Sequence, residues 1–176
     1  MYKIPSEEKI IERWDNTLPL ISICSITYNH ENFVSETLDS FLMQESAYPY
    51  EILISDDCSS DKTQKVISDY FEKYPNIIKP ILRKINVGMM INFTENIARA
   101  SGKYIALCEG DDYWTDQLKI QKQVDFLEKN NDFNDLYARA HLKLKNFDEG
   151  IRYFELFFDN YNPETSDINF SISEEK

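Results

Sequence analysis

The chain has 176 residues, of which 31 are acidic and 19 basic, and its formal net charge at pH 7 is −12. Such a charge repels a phosphate backbone, so the composition excludes nucleic acid as an expected partner. Hydrophobic residues make up 42% of the chain, which excludes a disordered protein, and the length suits one domain with an appendage.

Apolar periodicity predicts the elements in chain order. An amphipathic helix within residues 1–17 places Ile10, Ile11 and Trp14 on one face. Short runs rich in β-branched residues then predict four strands, at 20–26, 51–55, 77–82 and 104–108. Helical spacing predicts further helices at 32–44, 62–74 and 90–100, and a last helix that Thr115 or Asp116 caps and that runs to about Lys129. Pro80 favours an edge position for the third strand, and Gly102 suits a helix C-terminal cap.

This alternation of strands and helices predicts an α/β fold with a mostly parallel, Rossmann-like sheet and helices on both faces. Ligands bind such sheets outside the carboxyl ends of the strands. Three polar loops fall at that edge, residues 27–31, 56–61 and 109–113. We expect them to converge on one site.

The cysteines and the termini bear on the compartment. Cys24 and Cys108 lie in apolar runs and read as reduced core thiols, and two histidines are too few for a Cys/His zinc site. No signal segment and no stretch long enough to span a bilayer is present. We therefore expect a cytoplasmic protein without a transmembrane segment, which a partner could hold at the inner face of the plasma membrane.

Two adjacent carboxylates, Asp111 and Asp112, follow the fourth strand. They can supply the hard oxygen ligands that Mg²⁺ or Mn²⁺ needs to bridge a diphosphate. The alternative is a solvated turn, which an isolated pair of acids before an aromatic residue would favour.

Further polar residues follow the first three strands. Asp56 and Asp57 can accept hydrogen bonds from a base or a ribose, or can instead cap the next helix. Tyr28 can lie against a nucleobase or pack on its own protein, while Asn29 can fix the loop that begins at Thr27. After the third strand come Asn86 and Gly88. They can let the backbone approach a nucleotide closely, or they can simply form a turn.

Four segments resemble, in order and spacing, the successive motifs of family two glycosyltransferases with the A-type fold. They are LISICSITYN (20–29), EILISDDCSSD (51–61), Asn86-Val87-Gly88 and GKYIALCEGDDYW (102–114). The resemblance implies a donor site for a nucleoside diphosphate sugar, most often a uridine one. It implies Tyr28 near the base, Asp57 near the uracil, Asp111 near the ribose and Asp112 on the divalent metal.

The chain departs from the family pattern in places. Glu109 replaces the usual first aspartate of the acidic loop, and Phe93 stands where many members carry an arginine. The donor domain is expected over residues 18–133, truncated before any acceptor region, and no catalytic base is recognisable. Residues 134–164 resemble one tetratricopeptide repeat, a helical hairpin that could dock a protein partner or could equally be the domain's own C-terminal helices, and 165–176 read as a frayed tail.

Two hypotheses follow from these residues. The first is a glycosyltransferase that moves a sugar to a glycan or lipid-linked acceptor in bacterial polysaccharide assembly. The second is a catalytically silent nucleotide-sugar-binding or scaffold module. The missing base favours the second, and the complete donor motifs favour the first.

Overall fold

The structure is a computed structural model that describes residues 4–129. Within that range the chain forms four strands, β1 (Ile21–Thr27), β2 (Tyr50–Asp56), β3 (Ile78–Leu82) and β4 (Tyr104–Leu107). Five helices alternate with them, α1 (Glu7–Ile11), α2 (Val34–Leu42), α3 (Thr63–Lys73), α4 (Met89–Ile97) and α5 (Lys119–Lys129). The predicted hairpin at 134–164 and the tail at 165–176 lie outside the described residues.

The four strands form one parallel sheet in the order β3-β2-β1-β4. The two central strands are β1 and β2, paired from Ile21 opposite Tyr50 to Thr27 opposite Asp56. Every residue of β2 is buried, as expected for an apolar run covered on both faces. The predicted α/β fold with a parallel sheet is therefore confirmed.

Pro80 lies in an edge strand, as its lack of an N–H predicted. Along β3, Arg83 donates its backbone N–H to Asp56 O at 3.1 Å, and Ile77 O accepts from Ile52 N at 2.8 Å. Because parallel ladders engage alternate residues, the backbone nitrogen of Pro80 faces away from β2. The proline therefore interrupts no bond of the ladder.

The helices bury apolar side chains against the sheet. On α2 these are Val34, Leu38, Phe41 and Leu42, each with no exposed surface. Ile67 of α3 and Ile10 of α1 are buried in the same core, and so are Ile120 and Val124 of α5. Helix α5 begins at Lys119, and Asp116, one of the two predicted caps, accepts Leu118 N at 2.9 Å in the turn before it.

Helix α4 contacts the sheet through buried amides instead. Asn96 is fully buried and donates to Ser25 O and to Leu53 O, both at 2.9 Å, which joins the helix to both central strands. Asn92 donates to Ser55 O at 2.9 Å and accepts the Ser55 hydroxyl at 2.6 Å. Buried amides need such partners, so these bonds fix the position of α4.

Gly102 is not the helix cap that the sequence suggested. Helix α4 ends at Ile97, and its capping residue Ala98 has ordinary right-handed geometry. A Cβ on Gly102 would lie 2.7 Å from Ile21 C and from Ser22 N. The glycine is required because the backbone passes this close to the start of β1.

Among residues 4–129, no helix is long and apolar enough to cross a membrane.

Candidate functional site

The three predicted loops meet at the carboxyl ends of β1, β2 and β4. After β2, Asp57 N donates to Thr27 O at 3.0 Å. On the other side of β1, Gly110 N donates to Ile26 O at 2.9 Å. The loops at 56–61 and 109–113 therefore flank the loop that follows β1.

Asn29 and Glu31 join the first loop to the second. Asn29 has a left-handed backbone (φ 57°), its N–H donates to Ser59 Oγ at 2.8 Å, and its Oδ1 accepts Ser60 N at 2.8 Å. Glu31 Oε2 accepts Lys62 N at 2.9 Å, and Glu31 N donates to Asp61 at 3.1 Å. The side chain of Asn29 thus fixes its loop, and Glu31 shares that task.

Asp56 and Asp57 occupy different environments. Asp56 is fully buried, and its carboxylate accepts bonds from Ser59 N at 2.9 Å, from the Ser59 hydroxyl and from Gln64 Nε2 at 2.5 Å. These partners lie in the following turn and in the first turn of α3. Asp56 therefore organises the loop, and a direct contact with a ligand would have to displace these bonds.

Asp57 is also buried, but its carboxylate holds a different segment. It accepts Val87 N at 2.8 Å and Gly88 N at 2.9 Å, while Asn86 Nδ2 donates to Asp57 O at 2.9 Å. Gly88 has φ 86° and ψ 153°, a conformation that essentially only glycine adopts. The structure thus brings three predicted site residues together, Asp57, Asn86 and Gly88.

The acidic loop is positioned by close contact between Gly110 and Thr27. A Cβ on Gly110 would lie 2.6 Å from Thr27 Cβ and 2.9 Å from Ile26 O. Gly110 O also accepts the Thr37 hydroxyl at 3.0 Å. The Thr27 hydroxyl is itself buried and has no hydrogen-bond partner within the described part of the chain. With Gly110 buried, the next two residues, Asp111 and Asp112, are exposed.

His30 links the first loop to the acidic loop, which the sequence did not indicate. Its Nε2 lies 3.7 Å from Asp111 Oδ2, and its backbone N–H donates to Thr63 Oγ1 at 2.8 Å. The His30 ring also stands edge-on to Phe33, with centroids 6.4 Å apart. No local spacing signals this contact, because it depends on how β1 and β4 pair.

Aromatic and basic side chains surround the acidic loop. Trp114 is nearly buried, with its ring centroid 4.7 Å from that of Phe41, and Lys119 Nζ lies 4.7 Å above the Trp114 ring. Burial raises the pKa of the Cys108 thiol to about 11, with a smaller contribution from Asp112. Tyr28 is 48% exposed and Tyr113 53% exposed, so both rings are accessible to a ligand.

Asp111 and Asp112 fit a divalent cation that a substrate also ligates. Within residues 4–129, no group of three or more His, Cys, Asp or Glu side chains could hold a metal. Mg²⁺ and Mn²⁺ prefer about six oxygen ligands, and Mg²⁺ commonly takes one or two carboxylates together with substrate phosphates and water. Two exposed carboxylates match that arrangement better than a site made wholly of protein ligands.

Comparison with known proteins agrees with the motifs. Residues 22–170 match the family model described as Glycosyl transferase family 2, so the chain belongs to this family. The matched range covers most of the chain, including residues 134–164, whose sequence resembles a tetratricopeptide repeat. The resemblance that the motifs suggested is thus confirmed at the level of the family.

Individual relatives each match about two thirds of the chain. An uncharacterized protein of Mycobacterium tuberculosis is 48% identical over 109 residues, which is 62% of this chain and 32% of the relative. In Bacillus subtilis, the putative teichuronic acid biosynthesis glycosyltransferase TuaG is 32% identical, over 64% of this chain and 43% of its own length. The putative glycosyltransferase EpsE of the same organism is 33% identical, over 67% of this chain and 42% of its own length. The chain therefore spans well under half the length of these relatives.

Solved structures show the same fold. Residues 1–349 of S. aureus TarS in complex with UDP match with a TM-score of 0.56 and 24% identity, over 63% of this chain and 32% of that one. The mannosyltransferase PcManGT from Pyrobaculum calidifontis, in complex with GDP-Man and Mn²⁺, matches with a TM-score of 0.56 and 21% identity, over 62% and 32%. At this identity the likeness concerns the fold alone.

Proposed function

We propose that the chain binds a nucleoside diphosphate sugar, with uridine as the expected base, and takes part in transfer of the sugar to a glycan or lipid-linked acceptor. One observation carries the proposal: the Asp57 carboxylate, the Asn86–Gly88 loop and the acidic loop all lie at the carboxyl edge of the sheet. The solved relatives in complex with UDP and with GDP-Man and Mn²⁺ support the same ligand class.

The chain's own residues have distinct roles in this proposal. Tyr28 offers an exposed ring to the base, and Asp57 holds the backbone of the 86–88 loop where the base would bind. Asp111 would contact the ribose or the cation, and Asp112 would bind Mn²⁺ or Mg²⁺ on the diphosphate. When bound, such a cation would supply Lewis-acid stabilisation to the diphosphate leaving group.

Calorimetric titration of UDP into the 176-residue chain, with and without Mn²⁺, tests the donor site. We expect binding that strengthens with Mn²⁺ and loses that dependence in Asp112→Ala. Asp69→Ala is the matched control, because Asp69 is a partly exposed acid on α3 that pairs with Lys65, and its replacement should leave the titration unchanged. UDP binding that does not depend on Mn²⁺, or that Asp112→Ala leaves unchanged, would contradict the assignment of the acidic loop as the metal site.

A second measurement separates an enzyme from a silent binding module. The silent module is the alternative because no catalytic base is recognisable in the sequence. Release of UDP from UDP-sugars by the same chain would support transferase chemistry. UDP binding without turnover for any donor would support the module. A peripheral position at the cytoplasmic face of the membrane is part of the proposal, because a lipid-linked acceptor is located there.

A further inference from the structure

The loop before α4 and the first turn of that helix expose an unusual amount of apolar surface. Ile85 is 75% exposed, Met89 64%, Met90 48% and Ile91 49%. These four side chains lie within seven consecutive residues, and we call residues 84–91 the apolar tip. Single exposed hydrophobic residues are ordinary, whereas a run of large ones marks a binding surface.

The apolar tip is held in place by hydrogen bonds from within the domain. Asp57 accepts both Val87 N and Gly88 N, and Asn86 donates to Asp57 O. Just before the tip, Arg83 bonds to Asn92 at 2.9 Å and pairs with Glu95 at 2.6 Å. The exposure of the tip therefore belongs to an anchored segment, and a partner would meet it preorganised.

Two basic residues, Arg83 and Lys84, lie at the start of the apolar tip, and residues 83–94 contain no acid. Glu95 compensates Arg83. Lys84 is exposed and forms no ion pair within residues 4–129. Lys84 therefore offers a positive charge beside Ile85 to an anionic partner, in a protein whose net charge is −12.

We propose that the apolar tip docks onto an anionic lipid bilayer, with Ile85 and the Met89–Ile91 turn in the headgroup boundary and Lys84 at the lipid phosphates. Aliphatic and methionine side chains beside a lysine match a fluid acyl phase and an anionic headgroup layer. Protein interfaces are enriched in aromatic residues and arginine as well as methionine, and residues 84–91 contain no aromatic residue and no arginine.

This surface deepens the proposed function, and it rests on that function only for the identity of the acceptor. Asn86 and Gly88 lie between Ile85 and Met89, so docking would place the candidate donor site beside the bilayer. A lipid-linked acceptor could then reach the site without leaving the membrane. The relation between tip and site follows from chain continuity and needs no further movement of the domain.

Vesicle flotation of the full 176-residue chain, without nucleotide, tests the proposal. We expect the protein to float with vesicles that contain phosphatidylglycerol and not with pure phosphatidylcholine. Ile85→Glu should lower the partition coefficient about tenfold or more, since it removes an inserted side chain and adds a repelled charge. Lys84→Glu should lower it at least about fivefold, the effect of losing one basic residue near an anionic surface.

Matched control variants distinguish membrane binding through the apolar tip from nonspecific binding of exposed hydrophobic residues. Leu18 is 78% exposed, so Leu18→Glu repeats the chemistry of Ile85→Glu elsewhere and should leave flotation unchanged. Lys9→Glu serves the same purpose for Lys84→Glu, because Lys9 is exposed on α1. Circular dichroism should show that all four variants fold, since each replaced side chain is at the surface.

Several outcomes would overturn the membrane assignment. They are absence of flotation with anionic vesicles, equal loss in the Leu18 and Ile85 variants, and flotation that Ile85→Glu leaves intact. A concentration-dependent dimer that Ile85→Glu abolishes, without flotation, would instead assign the tip to a second copy of the chain. The assay contains no UDP, so its failure is distinguishable from failure of the donor titration.

Discussion

Substitution of Gly110 by alanine gives a direct test of how the acidic loop is held. The added Cβ would lie 2.6 Å from Thr27 Cβ, 2.8 Å from Thr27 Oγ1 and 2.9 Å from Ile26 O. One of these atoms belongs to the backbone of a central strand, so the acidic loop must move. Overpacking of this kind costs about 1–3 kcal/mol. At about 3 °C per kcal/mol for a chain of this size, the melting temperature should fall by about 3–9 °C.

The displaced loop should also weaken Mn²⁺-dependent UDP binding at temperatures where the variant is folded. Gly102→Ala is the matched control, because its Cβ would meet the backbone of Ile21 and Ser22 at 2.7 Å. That clash lies at the opposite end of β1, about 20 Å from the site at the usual rise per residue. Calorimetry should show weakened binding for Gly110→Ala only. Equal weakening in both variants, or none in either, would refute a local role of the Gly110 contact.

Three more predictions follow from buried or bridging groups. Burial raises the pKa of the Cys24 thiol from 9.0 to about 12. The thiol therefore ionises first in the unfolded chain, and the folded protein loses stability as the pH rises from 9 toward 12. Cys24→Ala should reduce the fall of the urea unfolding midpoint between about pH 9 and 11. Asn96→Leu leaves two strand carbonyls without its amide and should cost about 2–4 kcal/mol in urea unfolding, an expectation that an unchanged midpoint would contradict. His30→Ala should weaken Mn²⁺-dependent UDP binding up to about fivefold by calorimetry, and unchanged affinity would make its contact with Asp111 incidental.

The order of elements was predictable because apolar periodicity is a local signal. Runs such as that from Ile21 to Ile26 read as buried strands without knowledge of their neighbours, and the polar loops after them had to meet at one edge. Pro80 identified the edge strand for the same reason, since a missing N–H restricts a position wherever its neighbours lie. The candidate site could therefore be placed at the carboxyl edge from the sequence.

The contacts that fix the site were not predictable. Asn96 is a polar residue within a predicted helix, yet its partners are carbonyls 43 and 71 residues away in the chain. His30 meets Asp111 only because β1 and β4 are neighbours. Gly102 resembled a cap because the sequence does not reveal how close another strand passes. Each of these depends on tertiary pairing, for which a single sequence carries no signal.

The backbone nitrogen of Pro80, which faces away from β2, bears on aggregation of the protein in concentrated solution. A free strand edge offers a row of donors and acceptors on which another chain can add a strand and begin aggregation. At Pro80 that row lacks its N–H, so an incoming strand cannot form a regular ladder along β3. Pro80→Val should therefore keep the fold and increase light scattering at high protein concentration. Pro80 thus removes no hydrogen bond within the sheet, and it opposes the addition of a further strand at the outer edge of β3.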